Sequence, residues 1–159
     1  MDDREAHRIF QDWLDRVVVH VVDDDYAAWR RTMFCPLVVD SATGPSAMAT
    51  EDQLRAKFDE WRRLIATHNL TDLVRTAHDV RAVARDRIEG AYTFDILSHG
   101  APVMPRFISG ATLKFREGHW RATHLHSGLA ERYRHLIHTS AADGDPVAQP
   151  ISTPEGNIR

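Results

Sequence analysis

A chain of 159 residues with one cysteine, Cys35, can form no internal disulfide, and the Cys-x-x-Cys pairs of redox and zinc sites are excluded. A reducing compartment is the expected setting, without structural zinc of the thiolate kind. Lysine is scarce: 18 of the 20 basic residues are arginine, spread from Arg4 to Arg159 and interleaved with acids. With a net charge of -3 and no block of one sign, the composition gives no footprint for nucleic acid. Long apolar runs are missing as well. The longest, Val17 to Val22, is broken by His20, and the charged opening Met1 to His7 leads into no clean apolar stretch. Neither a membrane span nor an export signal is expected, which makes the cytoplasm the expected location. What is present is 43% hydrophobic residues, in a length that removes roughly 70% of the unfolded surface from water, enough for one core without staples.

The apolar residues are patterned. Ile9, Trp13, Val17 and Val21 recur every four positions between Arg4 and Val22, with Phe10, Leu14 and Val18 beside them, and the spacing predicts a helix despite the β-branched run. Asp23 to Asp25 offer caps for a second, short helix, with Tyr26, Trp29 and Met33 along one side before Pro36. Leu37 to Val39 read as a strand ending at Asp40, and Ser41 to Ser46 as a loop around Gly44 and Pro45. Thr50 and Gln53 have capping-box spacing, and Leu54, Phe58, Trp61 and Ile65 continue a helix that His68 and Asn69 close.

Beyond Leu70 the period becomes two. Leu73 to Val83, Ile88 to Ile96, Phe107 to Phe115 and Trp120 to Ser127 read as an antiparallel meander, interrupted at His99 to Pro105 and turned at Glu117-Gly118. Leu129, Tyr133 and Leu136 or Ile137 suggest a closing helix, after which Pro, Ser, Asp and Gly dominate. The expected organisation is one α+β domain over residues 1–138 and a flexible polar tail over 139–159.

Histidine is the unusual chemistry, with five of ten between His119 and His138. On strict strand alternation Trp120, Ala122, His124 and His126 share one face, opposite Arg121, Thr123, Leu125 and Ser127. A His-x-His pair facing a hollow can exchange protons near neutral pH, or sit at a subunit contact. It also has the spacing of a metal site, with His78 or Asp40 as a third ligand.

The element order, the strand ending Val39-Asp40, the loop into Thr50-Glu51-Asp52-Gln53 and the stretch from Glu117-Gly118-His119-Trp120 to His124-Leu125-His126-Ser127 resemble the NTF2-like superfamily over about residues 4–128. The last stretch is similar to its D/E-G-x-W-x-x-x-H-x-H-x-S closing strand, although Ser127 follows His126 directly. This SnoaL-like, ketosteroid isomerase-like resemblance implies a cone: N-terminal helices packed in a curved, mixed, largely antiparallel sheet, an apolar pocket, and a homodimer with sheets face to face. It implies no cofactor and no catalytic metal. Two uses of such a pocket stay open. One is a small-molecule-binding protein acting as an isomerase, dehydratase or cyclase on an apolar, ring-containing substrate by acid-base chemistry. The other is a noncatalytic assembly or ligand-carrier domain.

Under the first use, Asp40 stands where the proton-shuttling aspartate of ketosteroid isomerase follows its first strand. His124 and His126 would join it as base and electrophile, as in scytalone dehydratase relatives. The remaining isomerase parts do not transfer, since the first helix has no tyrosine and Ala111 stands near the position of the protonated acid. The structural alternative for Asp40 is a cap on the Ser41 to Gly44 turn. Tyr26, Tyr92, Phe94, Phe107, Ser109 and Trp120 are the expected ligand-binding residues, and they serve equally well as core.

Overall fold

The computed structural model describes residues 1–129 and 149–150. Three helices, α1 (Asp3–Val22), α2 (Tyr26–Arg30) and α3 (Glu51–His68), accompany strands β1 (Met33–Ser41), β2 (Gly44–Met48), β3 (Asp72–Ala84), β4 (Arg87–Ser98), β5 (Ala101–Pro102), β6 (Phe107–Arg116), β7 (His119–His126) and β8 (Gln149–Pro150) among these residues. The strands form one sheet in the order β3-β4-β6-β7-β1-β2-β8, with β5 added to β4. Among the described strands only the β1–β7 pair is parallel. The expected closing helix through Tyr133, and all of the expected tail but Gln149 and Pro150, lie outside the described residues. No helix among the described residues is long and apolar enough to cross a membrane.

Each helix follows its local chemistry. Asp2 caps α1 by accepting from the Glu5 N-H, and the four-residue stripe is buried at Phe10, Trp13, Leu14, Val17 and Val21. At α3 both halves of the capping box form: Thr50 Oγ1 accepts from Gln53 N, while Gln53 Oε1 accepts from Thr50 N at 3.1 Å. Asn69 closes that helix in the left-handed region at φ 53°. The stripes of α1 and α3 meet the inner face of the sheet, and one core joins Phe10, Trp13, Leu54 and Phe58 to Leu37, Ile88, Ile96 and Leu113.

Helix α1 also covers the edge strand β3. Gln11 spans two of its backbone groups, with Nε2 donating to Arg75 O at 2.9 Å and Oε1 accepting from Ala77 N at 2.8 Å. Asp3 accepts from Ala82 N further along. A sheet edge otherwise free to pair with another chain is thereby occupied. The approach is close, because a Cβ on Gly90 would lie 2.9 Å from Val80 Cγ2 and 3.0 Å from the Phe10 ring.

The strand boundaries depart from the sequence reading in three places. Met33 begins β1 and does not continue the side of α2, which ends where the Thr32 hydroxyl donates to Trp29 O. The stretch Ser41 to Ser46 is a hairpin and not an open loop: Ser41 pairs with Gly44 across a two-residue turn, and Gly44 takes φ 107° without a Cβ penalty. Within His99 to Pro105, Ala101 and Pro102 still pair with β4.

Candidate functional site

Strand β7 carries the residues expected to do chemistry, and its register decides where they point. Leu113 pairs with Ala122 but Thr112 pairs with His124, so Thr123 is an extra residue, a β-bulge. On β6, Ser109, Ala111 and Leu113 are buried, while Ile108, Gly110 and Thr112 between them turn to the outer face. Directly paired residues share a face. Ala122, opposite Leu113, and Leu125, opposite Ala111, therefore point inward, whereas His124, opposite Thr112, and His126, opposite Gly110, point outward. The single face expected for Trp120, Ala122, His124 and His126 is corrected by one residue of bulge. Trp120 and Ala122 stay inside, and both histidines leave.

The same register places Asp40. It pairs in parallel with His126, and Val38 with His124, so Asp40 is on the outer face too. Asp40 Oδ2 and His126 Nδ1 are 2.9 Å apart, with the side chains 43% and 50% exposed. The His124 and His126 rings stack at 6.2 Å and 19°. Asp40 and the histidines thus converge, on the side of the sheet away from the helices. His78 is also outward, paired with Ala91, its Nδ1 3.4 Å from Asp79. Among the described residues no group of three or more His, Cys, Asp or Glu side chains is placed to hold a metal ion.

Inside the cone, α1, α3 and the sheet leave a cavity of about 40 Å³, with Trp13, Leu37, Trp61, Tyr92 and Leu125 in its walls. Two cations line it, Lys57 from α3 and Arg75 from β3. Lys57 Nζ is 3.4 Å from the buried Glu60 carboxylate. Among the described residues Arg75 has no such neighbour. Its guanidinium lies 4.3 Å above the Phe94 ring and 5.6 and 5.8 Å from the centres of Tyr92 and Trp61. Its Nε is sealed from solvent with no acceptor among the described residues. Burial lowers the pKa of this group, because the charged form is the one desolvation penalises.

Of the six expected ligand-binding residues, Tyr92 lines the cavity. Phe94 and Phe107 meet in a tilted ring contact at 5.4 Å. Ser109 is buried, its Oγ accepting from Gly128 N. Tyr26 lies on the seam of α2 and α3, donating to Glu51 at 3.3 Å beneath the Arg55 guanidinium. Trp120 packs on Phe115, a residue that is 42% exposed. The residues the sequence reading passed over are Arg75, Lys57 and Trp61. A signal existed for Arg75: on period two it shares the inward face of β3 with Leu73 and Ala77, an arginine where an apolar residue belongs.

No family sequence model and no curated protein matches the chain. Solved structures do. A protein of unknown function from Mycobacterium tuberculosis superposes with TM-score 0.63 at 12% identity, covering 91% of each chain. An NTF-2 like protein of unknown function from Shewanella oneidensis MR-1 gives 0.58 at 12% identity over 72% of this chain and 92% of its own. An uncharacterized protein with a cystatin-like fold from Caulobacter vibrioides gives 0.54 at 17% identity over 90% of this chain and 97% of its own. At such identities the likeness concerns backbone architecture alone. With helices first and a curved, mixed sheet folded around them, the chain has the NTF2-like α+β cone fold.

Proposed function

We propose that this chain is a noncatalytic binding protein or carrier for a small organic ligand, held in the cone between α1, α3 and the sheet. The observation that supports this reading is the character of the inner cavity. Its wall is aromatic and aliphatic, and two cationic side chains reach it, which is the composition of sites that enclose an apolar body and orient it by a few polar groups. Acid-base catalysis in that cavity is not part of the proposal, because Asp40, His124 and His126 lie on the other side of the sheet. The experiment is a thermal-shift screen of small aromatic and aliphatic compounds on wild type and on Leu125→Trp, which fills the cavity. Ligands that raise the wild-type midpoint by mass action and fail on the filled variant support the reading; ligands that act equally on both overturn it.

A second reading, self-assembly, is favoured by the outer face. Ile108 is 57% and Val74 43% exposed there, beside the small residues Ala91 and Gly110. The same face carries the acids Asp40 and Glu89 and the cation Lys114, so a copy related by a two-fold axis can set unlike charges opposite each other. A homodimer through this face predicts that Ile108→Lys lowers the mass measured by light scattering toward that of one chain. An unchanged mass sinks this reading and leaves the cone untouched.

A further inference from the structure

We propose that the cone takes the carboxylate group of a small organic acid, with the Arg75 guanidinium as its counter-charge. The proposal rests on reading the cone as a ligand site and adds the chemical class of what enters it. A guanidinium presents N-H donors in a fixed planar fork, and inside a fold these are met by acceptors or remain a cost. Among the described residues the Arg75 guanidinium meets aromatic faces, those of Phe94, Tyr92 and Trp61. Among the described residues its guanidinium makes no hydrogen bond or ion pair, and its sealed Nε has no acceptor. The other cation of the cavity, Lys57, already faces Glu60.

One unmatched planar cation selects the anion. A carboxylate receives two parallel N-H bonds from the fork and carries one charge. A phosphate dianion would bring more charge than this guanidinium offsets. Size agrees, since about 40 Å³ open to the centre of a water-sized sphere exceeds the roughly 10–15 Å³ that one water needs on that measure. The head group fits as the side chains stand. Val18, Leu73 and Leu125 border the same space and are only partly buried, and the proposal seats the apolar ligand body by turning these side chains aside.

The test titrates isotope-labelled full-length protein with phenylacetate and hexanoate, and in parallel with their primary amides. It follows the Arg75 Nε-H resonance, assigned by its loss in Arg75→Lys. A hydrogen bond to a charged group contributes about 1.5–3 kcal/mol, so each acid is expected to bind at least about tenfold tighter than its amide and to move that resonance. Arg75→Met is expected to bring the acids down to the level of the amides. Should this variant fail to fold, the wild-type resonance still decides. Equal binding of acids and amides would overturn the carboxylate assignment while leaving the cone a ligand site. Binding of neither overturns both readings. Acids that bind without moving the Arg75 resonance bind elsewhere, which overturns the assignment.

Discussion

The bulge at Thr123 makes a prediction opposite in sign to that of an unbulged strand. With the bulge, Leu125 packs against the core and His126 belongs to the outer face. A fully buried leucine truncated to alanine costs about 2–5 kcal/mol, transfer and cavity together. Leu125 keeps some exposure and already borders a void, so Leu125→Ala is expected near the lower end, about 2 kcal/mol. For a chain of this size about 1 kcal/mol shifts the midpoint by roughly 2–4 °C, giving a fall of about 4–8 °C. His126→Ala removes a half-exposed ring and its contact with Asp40, and pairs of that kind contribute about 0–1 kcal/mol, no more than roughly 4 °C. Calorimetry on the two variants, with denaturant unfolding as a check on the slope, measures both. A His126→Ala variant less stable than Leu125→Ala would refute the register argument, and with it the placement of Asp40 and the histidines outside the cone.

Three further outcomes follow from the same packing. Gly90→Ala puts a methyl 2.9 Å from Val80 Cγ2 and 3.0 Å from the Phe10 ring, and overpacking of this kind is expected to cost about 1–3 kcal/mol by denaturant unfolding. Gln11→Ala frees two backbone groups of the β3 edge and is expected to cost about 1–3 kcal/mol, with faster hydrogen exchange at the Ala77 amide; exchange unchanged there means the clamp does not hold the edge. Asp40→Asn breaks only an exposed contact, so stability stays within about 1 kcal/mol and binding of any cone ligand is unchanged; lost binding would return the acid to the site.

The helices were legible because each stripe, cap and stop is local. The four-residue spacing through Trp13 and Val17, the Thr50 and Gln53 box and the αL asparagine at position 69 name their structures without help from elsewhere. The meander was legible for the same reason, since its alternation and turn residues are short-range. The site was not. Its layout hangs on whether one residue of β7 is paired or squeezed out, and a period-two pattern counts every residue alike. A hint was present: apolar residues at Trp120, Ala122 and Leu125 fall out of phase by one, and leaving out Thr123 restores strict alternation.

By itself, then, the sequence determined the three helices and the long strands of the meander, because those choices depend on neighbours a few positions away, while the start of β1 and the β1–β2 hairpin were not legible in it. Only the tertiary structure decided that Asp40 meets His126 outside the cone and that Arg75 lies inside it against three aromatic rings. Both depend on strand register and on side chains brought together from distant parts of the chain, and no local pattern specifies either.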